Sequence, residues 1–138
     1  MTTTRKIAED FLNRLADSDA SKTAALFADD VDFLCAGTED AEWIRPRETR
    51  ADMEDMFSTM QAHFDPESRA ASLTSFLVDG NDAVITGHIS QRLRSNNQAF
   101  TIPFALHLTV VDGKINRYHI YEDSLTVANA VRGTVTAL

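Results

Sequence analysis

Three polar side chains in the second half of the chain have the chemistry of an acid–base site. His88 and Ser90 are two residues apart, which places them on one face of a strand, and Tyr118 lies in a later strand-like segment. An imidazole titrates near neutral pH and can give or take a proton, while a hydroxyl can hydrogen-bond a ligand carbonyl. The alternative for His88 is a hydrogen-bonded structural histidine.

Two further residues could join such a site. Glu122 stands at the end of a predicted strand, where it could pair with His88 or cap the helix that follows. Cys35, in an alternating apolar segment, could be a nucleophile beside His88 or an inert small apolar residue. Each alternative depends on where the fold places these side chains.

Composition argues against several classes of partner. With 13 Lys and Arg against 21 Asp and Glu, the net charge is -8, so nucleic acid and an anionic membrane surface would be repelled. The single cysteine excludes an internal disulfide, and His63, His107 and His119 lack the spacing of a metal set, so neither a metal nor another cofactor is predicted. No segment is apolar enough for a signal peptide or membrane span, which predicts a cytoplasmic protein. The length predicts one domain, 1–138.

Amphipathic segments in the first half of the chain predict three helices. They run over residues 7–15, 21–27 and 49–64. Thr49 followed three residues later by Asp52 predicts a capping box at the start of the third helix. Alternation over residues 31–35 predicts a short strand, which is followed by a polar loop that contains Trp43.

The second half of the chain has the period of strands. Strands are predicted over residues 71–78, 83–94, 99–111 and 115–123, and a short helix over 125–131. From Phe100 to Val110 the even positions are apolar and the odd ones are small or polar. Turn sequences such as Asp112-Gly113 separate the strands and predict antiparallel neighbours. The predicted fold class is α+β: three N-terminal helices packed on a strongly curved, mainly antiparallel sheet, with a short C-terminal helix.

The order of these elements resembles that of the nuclear transport factor 2-like superfamily. The segment Leu26-Phe27-Ala28-Asp29-Asp30 and the closing strand that begins Gly113-Lys114-Ile115 carry the resemblance, which covers nearly the whole chain. The superfamily includes SnoaL-type polyketide cyclases, ketosteroid isomerase and limonene epoxide hydrolase. The resemblance implies a cystatin-like cone with an apolar pocket at its wide end, and a homodimer formed through the convex face of the sheet.

The catalytic positions of those relatives are mostly empty in this chain. The two carboxyl groups of ketosteroid isomerase would fall on Cys35 and Leu106, and its tyrosine on Phe11. The two aspartates of limonene epoxide hydrolase would fall on Ser90 and Ile120. Carboxylates that move protons are essential to both reactions, so neither reaction is supported.

The resemblance nevertheless implies a site inside the cone. It turns His88 inward, although the apolar phase of Ile85, Ile89 and Leu93 alone would turn that residue outward. The predicted catalytic residues are His88, Ser90 and Tyr118. The predicted ligand-binding residues are Phe11, Phe33, Cys35, Trp43, Phe57, Leu106, Ile120 and Glu122.

The sequence is compatible with two functions. The first is the binding of a small apolar, ring-shaped molecule in a cone-shaped pocket, without chemistry. The second is an enzyme that carries out isomerisation, cyclisation, dehydration or hydrolysis on such a molecule, with His88 as acid or base. The missing carboxylates favour the first function.

Overall fold

The computed structural model describes residues 3–36 and 43–133. In chain order its elements are α1 (Thr4–Ala16), α2 (Ala20–Ala24), β1 (Phe27–Ala36), α3 (Arg50–His63), a 3-10 turn (Pro66–Ser68), β2 (Ala70–Asp79), β3 (Asp82–Arg92), β4 (Ala99–Val111), β5 (Lys114–Glu122) and α4 (Ser124–Arg132). None of the described helices is long and apolar enough to cross a membrane. Three helices in the first half of the chain, a mainly antiparallel sheet and a short C-terminal helix confirm the predicted α+β fold class.

Side-chain caps begin the two longest helices. Thr3 accepts a hydrogen bond from the Lys6 backbone N–H at the start of α1. At the start of α3, Thr49 Oγ1 accepts from the Asp52 N–H, and the Asp52 carboxylate accepts from the Thr49 N–H. This reciprocal pair is the predicted capping box. The starts of α1 and α3 are therefore set by the capping residues Thr3 and Thr49.

The sheet has the strand order β1-β5-β4-β3-β2. Strands β2 to β5 pair as antiparallel neighbours, as the turn sequences predict, and β1 adds parallel to β5. In the β4–β5 turn both Asp112 and Gly113 have positive φ, the backbone shape that a tight hairpin requires. The parallel pairing has no local signal in the sequence, because it joins strands from opposite ends of the chain.

The two faces of the sheet differ in what covers them. We call the face that packs on α1 and α3 the inner face; on β4 it carries the even-numbered residues from Phe100 to Val110, as the alternation predicts. The opposite face, predicted to be convex, is the outer face. Strand register assigns the remaining residues: Leu106 lies between Ile85 and Ile120 on the inner face. Most of the hydrophobic core therefore lies between this face and the helices.

Helix α2 is shorter, and strand β1 longer, than the sequence predicts. Phe27, placed in the helix by its apolar spacing, is instead the first residue of β1 and pairs with Ile115 of β5. Its ring packs on Phe11 and Phe57, with centroids 6.0 and 5.9 Å away. These long-range contacts override the local helical pattern. Residues 37–42 of the predicted loop lie outside the described residues, which resume at Trp43.

The edge strand β2 approaches β3 closely at one point. The register between these strands shifts between Leu73 and Ser75. A Cβ atom added to Gly87 of β3 would collide with the backbone oxygen of Ser72. Only glycine therefore fits at position 87, beside the irregularity in β2.

Candidate functional site

Helices α1 and α3 and the inner face of the sheet border a cavity of about 410 Å³. Its lining residues are Leu12, Leu15, Ala16, Ser18, Met60, Pro66, Arg69, Ala71, Leu73, Ile89, Gln91, Phe104, Leu106, Tyr118, Ile120 and Glu122. Most of these side chains are apolar. The polar ones among them decide what the cavity could do chemically.

Tyr118 reaches the cavity from an aromatic cluster. Its ring stacks on Phe33, with centroids 5.9 Å apart and planes 12° from parallel, and meets Phe11 edge-on at 5.7 Å. Burial raises the pKa of the phenol above its usual value, so the hydroxyl is protonated at neutral pH. Within the described residues this hydroxyl makes no hydrogen bond. It is therefore a donor that a bound molecule could use.

Glu122 also faces the cavity, from the last residue of β5. Burial raises the pKa of its carboxyl group. The alternative that Glu122 caps the following helix is wrong, because Asp123 is the cap of α4 and accepts from the Thr126 N–H at 3.1 Å. Glu122 is thus a half-buried carboxyl group in a cavity, and its pKa is shifted upward, the direction that favours proton transfer by a carboxyl group.

Cys35 lies on β1, the strand that pairs parallel to β5. Its Sγ atom is 4.0 Å from Glu122 Oε1. Burial, and to a lesser extent the charge of Glu122, raise the pKa of this thiol to about 12. Because the thiolate is the nucleophilic form, Cys35 is unreactive at neutral pH. This favours the interpretation of Cys35 as an inert apolar residue.

His88 and Ser90 lie on the outer face, and the prediction that they line the cavity is wrong. His88 is exposed, and Ser90 Oγ hydrogen-bonds Thr101 Oγ1 at 2.8 Å on the outer face. The alternating residues Ile89 and Gln91 line the cavity in their place. The alternation that the resemblance implies for β3 is therefore displaced by one residue. Such a shift places every side chain of the strand on the opposite face.

The other predicted ligand-binding residues occupy different parts of the core. Leu106 and Ile120 line the cavity. Phe57 lines a smaller neighbouring cavity of about 230 Å³. Phe11 is fully buried and Phe33 half-buried, and both pack against the ring of Tyr118. These two therefore support a cavity residue rather than line the cavity.

Trp43 packs away from the larger cavity. Its ring lies against His63 and Phe64, with centroids 5.4 and 4.9 Å away. Arg47 donates to the Trp43 carbonyl at 3.3 Å and to the Asp55 carboxylate at 2.6 Å. Trp43 is therefore an anchor for the chain that leads into α3, and the prediction that it contacts the ligand has no support in its position.

The cavity contains three polar residues that the sequence interpretation missed, Ser18, Arg69 and Gln91. Gln91 shares the buried phase of Ile85 and Ile89 on β3, and a polar residue in an apolar phase is the signal that could have identified it. Arg69 follows the 3-10 turn and precedes β2. No periodicity applies to that position, so its orientation depends on the tertiary fold.

Two histidines of the outer face are held by carboxylates. His107 Nε2 lies 2.9 Å from Asp82 Oδ1. His119 Nε2 lies 3.1 Å from Asp32 Oδ1, although the two are not aligned as a hydrogen bond. In the part of the chain that the structure describes, no three His, Cys, Asp or Glu side chains are grouped so as to hold a metal ion.

Comparison with known proteins agrees with this fold. A family model described as the SnoaL-like domain matches residues 8–118. No curated protein matches the chain.

Several solved structures match over nearly the whole chain. An NTF2-like protein from Burkholderia xenovorans has a TM-score of 0.81 and 19% identity, over 95% of this chain and 98% of that one. A candidate polyketide cyclase from Pseudomonas putida has a TM-score of 0.75 and 14% identity, over 94% of this chain and 98% of that one. A protein with a ketosteroid isomerase-like fold from Catenulispora acidiphila, in complex with trimethylamine, has a TM-score of 0.74 and 16% identity, over 94% of each chain. At these identities the likeness shows the fold, and it confirms the predicted NTF2-like cone.

Proposed function

Because this chain belongs to the SnoaL-like domain family, we propose that it binds a small, largely apolar, ring-shaped molecule in the cavity of about 410 Å³. The cavity itself is the observation that carries the proposal. Its walls are mainly apolar, and a few polar groups converge on it, which is the usual composition of a small-molecule site.

The positions of the side chains suggest how such a molecule is held. Phe104, Leu106 and Ile120 form an apolar surface against which a ring can pack. Tyr118 donates a hydrogen bond from the end of a rigid aromatic stack to an oxygen atom of the ligand. A pre-positioned donor loses little conformational freedom on binding, which favours affinity.

A second candidate function is proton transfer on the bound molecule. It is favoured by the raised pKa of Glu122 in a cavity that also holds the Tyr118 hydroxyl. Glu122 would take the role that the sequence interpretation gave to His88. As a carboxylate it would remove a proton next to a carbonyl group, while Tyr118 hydrogen-bonds the carbonyl oxygen as negative charge develops.

We also propose a homodimer formed through the outer face, as the resemblance implies. The apolar side chains of Leu34 and Tyr121 are 40% and 46% exposed on that face. Around them lie histidines and charged residues that are paired within the chain, such as Arg117 with Asp32. Such a mixed surface suits a two-fold contact. The cytoplasm remains the location that the sequence predicts.

The binding proposal can be tested with two neighbouring alanines of the edge strand β2. Ala71 lines the cavity, whereas Ala70 is paired with Ser90 and belongs to the outer face. Both are exposed, so the edge strand can accept a larger side chain at either position. The test measures binding of 2-naphthol by isothermal titration calorimetry to the unmodified protein, Ala71→Trp and Ala70→Trp, with circular dichroism to verify folding.

We expect Ala71→Trp to weaken binding by at least about tenfold, because the indole occupies the space of the ligand. Ala70→Trp should bind as the unmodified protein does. No binding to the unmodified protein, or an equal loss in both variants, would overturn the proposal.

A further inference from the structure

Arg69 is a half-buried cation that the protein itself does not neutralise. One Nη1–H donates to the Leu15 carbonyl oxygen at 2.9 Å, which holds the guanidinium at the end of α1. Within the described residues Arg69 forms no ion pair with a carboxylate, and its other side-chain N–H groups have no hydrogen-bond partner. Removing a guanidinium from water without a partner is unfavourable. Burial accordingly lowers the pKa of Arg69.

Gln91 adds a second unsatisfied group next to this cation. Gln91 is only 9% exposed, and within the described residues its side-chain amide makes no hydrogen bond. Arg69 and Gln91 both line the larger cavity and the smaller one, so they stand where the two meet. A buried polar side chain normally has a partner. The unpartnered amide of Gln91 and the unused N–H groups of Arg69 lie at one place, which points to a ligand that supplies their partners.

None of the other charged groups that the structure describes along the cavities forms an ion pair with Arg69. Asp65 lines the smaller cavity, and its carboxylate accepts from the Glu67 backbone N–H at 3.1 Å. Arg94, which also lines it, donates to the Phe64 carbonyl at 2.8 Å. Glu122 lies on β5 beside Cys35 and forms no ion pair with Arg69. Among the described residues no carboxylate lies within ion-pair distance of Arg69. The guanidinium is therefore available to an anionic ligand.

We propose that the ligand of this cavity carries a carboxylate group, which Arg69 binds through its unused N–H groups while the Gln91 amide donates to the same group. A guanidinium and a carboxylate match in shape and can form two parallel hydrogen bonds. The apolar ring of the ligand then extends along the sheet towards Tyr118 and Glu122. This inference rests on the proposed function, because it concerns the same cavity.

Two probes of equal shape separate the inference from the proposed function. 2-Naphthoate carries the carboxylate, and 2-naphthamide replaces it with a neutral amide. Their affinities are measured by calorimetry for the unmodified protein, Arg69→Gln and Gln91→Glu. The matched control is Arg14→Gln: Arg14 is also half-buried and also donates to a backbone carbonyl, that of Lys22 at 2.7 Å, but it does not line the cavity.

We expect the unmodified protein and Arg14→Gln to prefer 2-naphthoate by at least about tenfold, the size of a charge-assisted contact. Arg69→Gln should abolish the preference, and Gln91→Glu should abolish or reverse it because its carboxylate competes for Arg69. Binding of 2-naphthamide without a preference for 2-naphthoate, or a preference that survives in Arg69→Gln, would overturn this inference and leave the proposed function intact. Binding of neither probe would overturn both.

Discussion

Glu122 Oε1 lies 4.0 Å from Cys35 Sγ, where the parallel strands β1 and β5 meet beside the cavity. Both groups are acids, and both have raised pKa values because they are buried. Ionisation of either opposes ionisation of the other, so at most one of them carries charge near neutral pH. Since the thiol has a pKa of about 12, the acid that can ionise is Glu122.

Cys35 should therefore react slowly with thiol reagents in the folded protein. At about pH 8 its thiolate fraction is smaller than that of an unperturbed cysteine by about three orders of magnitude. We expect labelling by Ellman's reagent to be at least about a hundredfold slower than in guanidinium chloride. Glu122→Gln should increase the rate, because it removes the neighbouring charge. Equal rates in the folded and unfolded protein would contradict this placement.

Glu122 should make the free energy of unfolding depend on pH. Its pKa is higher in the folded protein than in the unfolded chain, so the folded state holds the proton more tightly between those two values. Stability is therefore greatest below the unfolded pKa and falls as pH rises through the folded pKa. The free energy of unfolding of Glu122→Gln, relative to that of the unmodified protein, should therefore increase as the pH is raised from about 4 to about 8. Urea unfolding at both pH values measures this.

The exposed Glu54 provides the control for that measurement. Glu54→Gln should change stability by less than about 0.5 kcal/mol at either pH, as surface substitutions usually do. A Glu122→Gln variant whose relative stability does not rise with pH would show that the carboxyl group is not buried in the folded protein.

If Glu122 acts as a base, the protein should catalyse exchange of the α-protons of 2-tetralone in heavy water. The carboxylate is the active form, so the rate should rise with pH and level off above the raised pKa of Glu122. Glu122→Gln should abolish the catalysed exchange, and Tyr118→Phe should slow it by about tenfold or more. His88→Ala should leave it unchanged, because His88 lies on the outer face. Proton NMR follows the exchange, and a loss of activity in His88→Ala would contradict the assignment.

The outer face should control assembly. Replacing both Leu34 and Tyr121 with lysine places charge on the exposed apolar part of that face, so we expect the double variant to be a monomer. Light scattering coupled to size-exclusion chromatography measures the mass. The control is Leu125→Lys, on the exposed side of α4, which should stay dimeric. A monomeric unmodified protein would contradict the proposed dimer.

The sequence predicts the strands and their faces well where alternation is long. The even-numbered residues of β4 face the helices as their apolar period requires. On β3 the same reasoning gives the right answer: Ile85 and Ile89 are on the inner face, and His88 is exposed. The phase that the resemblance implies for β3 is wrong, because an alignment displaced by one residue places every side chain of a strand on the opposite face.

Other parts of the candidate site depend on tertiary structure that local patterns do not contain. Cys35 and Glu122 are neighbours because β1, near the start of the chain, pairs parallel to β5, near its end. Arg69 is directed by a turn with no periodicity. Gln91 has a signal, as a polar residue in an apolar phase, but the resemblance places that phase on the outer face.

The central claim is that the ligand occupies the cavity on the inner face of the sheet, and isoleucine methyl NMR tests it most directly. Ile89 and Ile120 line the cavity, whereas Ile44 and Ile115 are buried elsewhere in the core. On titration with 2-naphthol, the methyl signals of Ile89 and Ile120 should shift while those of Ile44 and Ile115 stay in place. Binding that leaves Ile89 and Ile120 unshifted would contradict the account.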